Sequence, residues 1–190
     1  MTDAAREITA PLDEVRARSL EAGERVELSG TVYTARDAAH ARIARAIEEG
    51  EDLPFDLDGA VIYYVGPTPA NPATGRAVGA AGPTTSARMD RFMEPLLERG
   101  LRGTIGKGPR GRECVDLCVR YGAVYLGAVG GAGALLGRSI RSAEVVAYED
   151  LGTEAVRRLE VERMPLFVAG DTYGRDAYTM GRQTYLEGLR

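Results

Sequence analysis

Residues 59–65, Gly-Ala-Val-Ile-Tyr-Tyr-Val, form an unbroken apolar run that leads straight into Gly66-Pro67-Thr68-Pro69-Ala70-Asn71-Pro72. Three prolines in that short span remove backbone donors and hold the residues before them extended, so no helix can begin there. The apolar run is therefore read as a buried strand whose carboxyl end is held by a stiff loop. Loops at the carboxyl ends of strands are where open α/β sheets bind ligands. The plainer reading of the loop is a rigid connector.

The rest of the chain alternates in the same way. Residues 11–22 read as a short helix with proline in its first turn, ended by Gly23. Residues 25–34 alternate as a strand, with a slip at Gly30 that predicts a bulge. A helix follows to about Glu49, stopped by Gly50, with Arg36, His40, Ile43 and Ile47 on one stripe. Residues 103–106 are a short strand, and Pro109 opens a helix to about Tyr121. Residues 123–129 are a buried strand, and the glycines of 130–137 start another helix. That glycine run lacks the spacing of a dinucleotide fingerprint or of a P-loop, so it is read as tight strand-to-helix packing. Strands are expected at 143–148, 156–162 and 165–169. Strand and helix in alternation over 190 residues define one α/β domain.

The segment Gly79-Ala80-Ala81-Gly82-Pro83-Thr84-Thr85-Ser86-Ala87-Arg88-Met89-Asp90 is the candidate for the chemistry; its plainer reading is an ordinary loop capping an ordinary helix. Thr84, Thr85 and Ser86 are all candidate N-caps for a helix that buries Met89, Phe92, Met93, Leu96 and Leu97. Pro95 should split that helix or kink it. Free N–H groups at such a start attract anions, and Arg88, one turn on, adds a fork for a carboxylate. Arg36 stands at another helix start, where a cation makes sense beside an anionic ligand or Asp37. Lys107 follows a strand end between two glycines and is the only lysine in the chain. His40 is expected to be half-buried and hydrogen-bonded rather than a ligand.

Composition removes whole classes. The 24 basic and 28 acidic residues leave a net charge of −4, which argues against a nucleic-acid binder. No stretch is long and apolar enough to span a membrane, and Met-Thr-Asp-Ala-Ala-Arg-Glu lacks the shape of a signal peptide, so a cytoplasmic location is expected. The 2 cysteines, Cys114 and Cys118, share a helical face with Leu117 and Tyr121 and read as core residues. No metal-ligand spacing accompanies them.

The run Gly-Pro-Thr-Thr-Ser-Ala-Arg-Met-Asp (82–90) resembles the signature of the beta subunit of iron–sulfur hydro-lyases, the class I fumarase and L(+)-tartrate dehydratase family. Leu28 to His40, with Tyr33-Thr34-Ala35-Arg36-Asp37, agrees in order and spacing. So do Pro54 to Leu57, Tyr63 to Pro69, Thr104 to Gly108 and Val145 to Gly152. The similarity runs from about residue 10 to about residue 170.

The resemblance implies a swivelling β/β/α domain over 11–170, between an N-terminal tail (1–10) and an unassigned C-terminal tail (171–190). It implies reversible addition or removal of water on a small 2-hydroxy dicarboxylate, fumarate/malate first and tartrate next. A partner alpha subunit would hold a [4Fe–4S] cluster by three cysteines, and this chain would hold no metal. The assembly would be a heterodimer or heterotetramer. Arg36 and Arg88 would clamp substrate carboxylates, with Thr85, Ser86 and backbone N–H groups binding further carboxylate oxygens. Thr84 would place a catalytic hydroxyl, sharing proton transfer with a carboxylate of the partner, and Lys107 would stabilise developing negative charge. The alternative is a non-catalytic anion-binding or scaffolding subunit. A nucleotide-binding protein is a weak third reading.

Overall fold

The centre of the apolar run is a strand, β3 (Val61–Tyr63), lying parallel to β2 (Arg25–Thr34) on one side and β4 (Gly103–Gly106) on the other. These belong to a computed structural model that describes residues 5–70 and 72–188. β5 (Val124–Gly127) extends the parallel set beyond β4. β7 (Val156–Gly170) then runs antiparallel to both β5 and β2, which closes β2-β3-β4-β5-β7 into a ring. β1 (Arg6–Ala10) adds parallel to β2, and β6 (Ile140–Ala147) adds antiparallel to β7. The architecture is a single small domain of mixed strands and helices around a closed sheet.

Both faces of the central strands are covered, which is why they read as continuous apolar runs. Val61, Tyr63 and Val65 join Leu28, Val32, Ile105, Leu126, Leu159 and Val168 in one buried cluster. Ile62 and Tyr64 pack in a second cluster against α2 (Asp37–Glu49), α3 (Met93–Glu98) and α4 (Arg112–Tyr121). Between β5 and β6 lies the short α5 (Gly133–Arg138).

The expected bulge is present: the β2–β7 register slips between Leu28 and Gly30. Gly30 has φ +102°, and a side chain there would collide with the Ala10 carbonyl of β1. The helix expected over 11–22 is only α1 (Glu14–Arg18), whose start is capped by Asp13 accepting from the Arg16 N–H at 2.6 Å. The Ser86–Leu97 helix is divided as expected, into a 3-10 helix over Ser86–Phe92 and α3. The break lies before Met93, so Pro95 sits in the first turn of α3, where its missing donor costs no helical bond.

Two terminal segments differ from the reading. Residues 6–10, placed in a tail, are a sheet strand. The C-terminal segment is built as well. The Asp171 carboxylate accepts from the N–H groups of Ala22 (3.1 Å), Tyr173 (2.9 Å) and Arg175 (3.0 Å), which turns the chain back. Asp176 then caps α6 (Ala177–Glu187) by accepting from Tyr178 N–H at 3.0 Å. Strands 156–162 and 165–169 are one strand. Pro165 is tolerated because β6 pairs with β7 only to Val161 and β5 only from Phe167, leaving one edge open between them.

Candidate active site at the carboxyl ends of the parallel strands

The register aligns the carboxyl ends of the four parallel strands: Thr34 opposite Tyr63, Tyr63 opposite Ile105, and Gly106 opposite Gly127. Arg36, Thr84, Thr85, Ser86, Arg88 and Lys107 lie just past one of these ends or on the segment laid against them. Arg36 follows β2, Lys107 follows β4, and Thr84–Arg88 returns to the rim after the proline loop.

Thr84 to Ser86 attach as a strand-like strip. Thr84 N–H donates to Tyr64 O at 2.7 Å, Lys107 N–H to Thr84 O at 3.1 Å, and Ser86 N–H to Lys107 O at 2.9 Å. These bonds set Thr84, Thr85 and Lys107 side by side. The hydroxyls of Thr84 and Thr85 make no hydrogen bond to the described residues, and the exposed Lys107 ammonium makes no ion pair with them. The Lys107 stem passes the glycines after β5, with its Cδ 3.7 Å from where a Gly130 Cβ would stand.

The arginines approach from α2. Arg36 occupies the N-cap position without capping; Glu154 does that instead, accepting from Ala38 N–H at 2.9 Å and pairing with Arg36 at 3.3 Å. The Arg36 guanidinium lies against Gly66, with Nη1 3.0 Å from the position a Cβ would take, and its Nε–H is buried without an acceptor. Arg88 forks onto Asp37 through Nε (3.0 Å) and Nη2 (2.5 Å). Asp37 thus serves Arg88, and of the two neighbours expected for Arg36, an anionic ligand or Asp37, the carboxylate found beside it is that of Glu154. Thr84, Thr85 and Lys107 are bonded neighbours, and Arg36 and Arg88 meet the start of α2.

Two expectations need correction. Ser86 is fully buried, and its hydroxyl donates to Tyr125 Oη at 2.9 Å beneath Gly106, so it is an internal strut and not a carboxylate ligand. The helix start also differs from the expected one. The helix there is a short 3-10 turn with no side-chain cap, and the N–H groups of Thr84 and Ser86 are already bonded to carbonyls.

A buried polar layer underlies the rim. His40 is fully buried, with Nδ1 3.0 Å from Arg36 O, and burial pushes its pKa down to about 4. Arg110, 2% exposed, pairs with Asp90 at 2.9 Å, donates to Tyr64 Oη at 3.0 Å and to Cys114 Sγ at 3.0 Å. Cys114 and Cys118 are both buried, and Cys118 with the Arg110 guanidinium holds the Cys114 thiol below its usual range. These thiols belong to the core of α4, and among the described residues no group of His, Cys, Asp and Glu side chains could hold a metal ion. The described residues therefore offer no donor set that fits an iron–sulfur cluster. Among the described residues no helix is long and apolar enough to cross a membrane. Sequence reasoning missed Arg110, Tyr125 and Glu154. Each acts through a partner far along the chain, and no local pattern announces it.

The segments that follow the parallel strands carry two arginines, a lysine and two threonines on an α/β domain, and comparison with known proteins gives its family. The family model described as Fumarase C-terminus matches residues 4–181, and the chain belongs to that family. It is 39% identical over 177 residues to "Fumarate hydratase 2" of Leishmania major, covering 91% of this chain and 31% of that one. Against "Fumarate hydratase class I, aerobic" of Escherichia coli K12 it is 37% identical over 176 residues, 90% of this chain and 32% of the relative. The "Putative L(+)-tartrate dehydratase subunit beta" of Methanocaldococcus jannaschii is 39% identical over 165 residues, with 85% of each chain covered. The chain thus spans about a third of the fumarate hydratases it matches, but most of the length of the separate beta subunit.

Proposed function

We propose that this chain is the beta subunit of an iron–sulfur hydro-lyase that adds water to, or removes it from, a small 2-hydroxy dicarboxylate, fumarate/malate before tartrate. The fold reading that goes with it is the swivelling β/β/α domain, with 11–170 as its functional extent. What supports the proposal is the backbone pairing that sets Thr84 and Thr85 beside Lys107, together with Arg36 and Arg88 held at the start of α2.

A dicarboxylate needs two cationic clamps, and guanidinium forks match carboxylates bidentately. Arg36 offers an unsatisfied buried donor. Arg88 is already fixed by Asp37, so its orientation is set before substrate arrives. Thr85 supplies a further donor to a carboxylate oxygen. Thr84 holds a hydroxyl at the reacting carbon, and a carboxylate of the partner shares the proton transfer. Lys107 opposes the negative charge that builds when a proton leaves the carbon beside a carboxylate. The [4Fe–4S] cluster would sit in the alpha subunit, where it supplies Lewis-acid activation of the substrate hydroxyl. No residue here is assigned to it.

The test is co-expression with a candidate alpha chain bearing three cluster-type cysteines, anaerobic reconstitution, and assay against a panel of hydroxy diacids. Turnover of one diacid supports the proposal. A stable reconstituted complex that hydrates none of them leaves the anion-binding scaffold reading in its place.

A further inference from the structure

Lys107 is bonded to Thr84 and Ser86 through its own backbone, and the residue after it is held as well. Gly108 has φ +78°, and both of its peptide groups are held by tyrosine hydroxyls from distant parts of the chain. Tyr125 of β5 donates to Gly108 O at 2.7 Å, and Tyr178 of α6 accepts from Gly108 N–H at 3.1 Å. Tyr125 also accepts from Ser86 at 2.9 Å, so the same hydroxyl ties the Thr84–Ser86 strip to the turn. Tyr178 reaches Gly108 because the Asp171 turn and the Asp176 cap start α6 beside the end of β7, and its ring packs edge-on against Phe167 at 6.1 Å. The rest of α6 buries no residue. A helix with no buried face gains little stability from packing, so its first turn is held through few contacts, the Tyr178 ring against Phe167 and the Tyr178 hydroxyl at Gly108.

We propose that Tyr178, with Tyr125, is a positioning residue: the two hydroxyls clamp the Gly108 peptide and thereby fix where Lys107 presents its ammonium. The catalytic part of this inference rests on the role of Lys107 proposed above; the clamp itself does not.

Tyr178→Phe keeps the ring and removes only the hydroxyl. Hydrogen exchange on the full chain, followed at the Gly108 amide, should show a rate about tenfold or more above wild type, since a lone exposed bond opens readily once its acceptor is gone. In the reconstituted complex kcat should fall about tenfold with KM within about twofold, because a misplaced charge donor is felt in the transition state more than in binding. Tyr185→Phe, on the same helix and 68% exposed, should change neither. Unaltered Gly108 exchange in Tyr178→Phe overturns the clamp. Faster exchange with unaltered kcat in an active complex overturns the link to Lys107, as does a kcat loss matched by a lowered melting temperature. If the wild-type complex turns over no diacid, the function proposal fails while the exchange experiment still decides the clamp.

Discussion

Arg88 is about half exposed, yet its fork is engaged on Asp37, so truncating it removes a fixed cation and leaves the core untouched. Arg88→Ala in the assembled enzyme should lower kcat/KM by about 2–4 kcal/mol of transition-state stabilisation, with the melting temperature retained; kinetics like wild type would take Arg88 out of the site. Ser86→Ala should behave in the opposite way. Its hydroxyl serves Tyr125 inside the protein, so the variant should lose about 1–2 kcal/mol of stability to urea. His40 gives a pH signature. Its folded pKa of about 4 lies below the ordinary value of 6.5, so the unfolded chain binds the proton more readily between those values. Stability from this residue is therefore complete above about 6.5 and is lost as pH falls towards 4, by on the order of 3 kcal/mol. Urea melts at pH 7 and 4.5 should show a larger fall in wild type than in His40→Gln, and equal falls would exclude the effect. The residues proposed for the rim were picked out by the motif's likeness to a known family, since threonine, arginine and lysine are also ordinary surface residues. The burial of Ser86 was not legible, since it depends on Tyr125, 39 positions away.

Elements whose signal is local could be read directly. The slip in alternation at Gly30 is the bulge, and Pro95 accompanies the division of its helix. Gly30→Ala should be strongly destabilising, by about 2 kcal/mol or more, because it combines a strained positive φ with a collision against β1. A melting temperature within a degree or two of wild type would mean that β1 gives way there. Elements defined by pairing were harder. Residues 6–10 become a strand because β2 offers a free edge to the N-terminal half of its length, which composition does not announce. The fusion of two apparent strands into β7 follows from three separate partners that bond successive parts of it. A 3-10 turn stands at Ser86 where an α-helix was expected, with its first N–H bonded to Lys107 after β4.

At the scale of the molecule, the α/β class and the single domain were legible from alternation, whereas closure of the sheet was not, since it is made by antiparallel returns at the end of the chain. The rim is open to solvent at Thr85, Arg88 and Lys107, which fits a surface completed by another polypeptide. The chain purified alone should therefore show no visible absorbance band and no hydratase activity; a brown protein with a cluster spectrum would contradict the assignment of Cys114 and Cys118 to the core. One practical outcome follows from the exposed Lys107. With no other lysine in the polypeptide, amine-directed acylating reagents have one side chain to modify besides the terminal amine. Mass spectrometry of a labelled sample would read occupancy of the rim as a single peak, and shielding by a diacid would register without any assay of turnover.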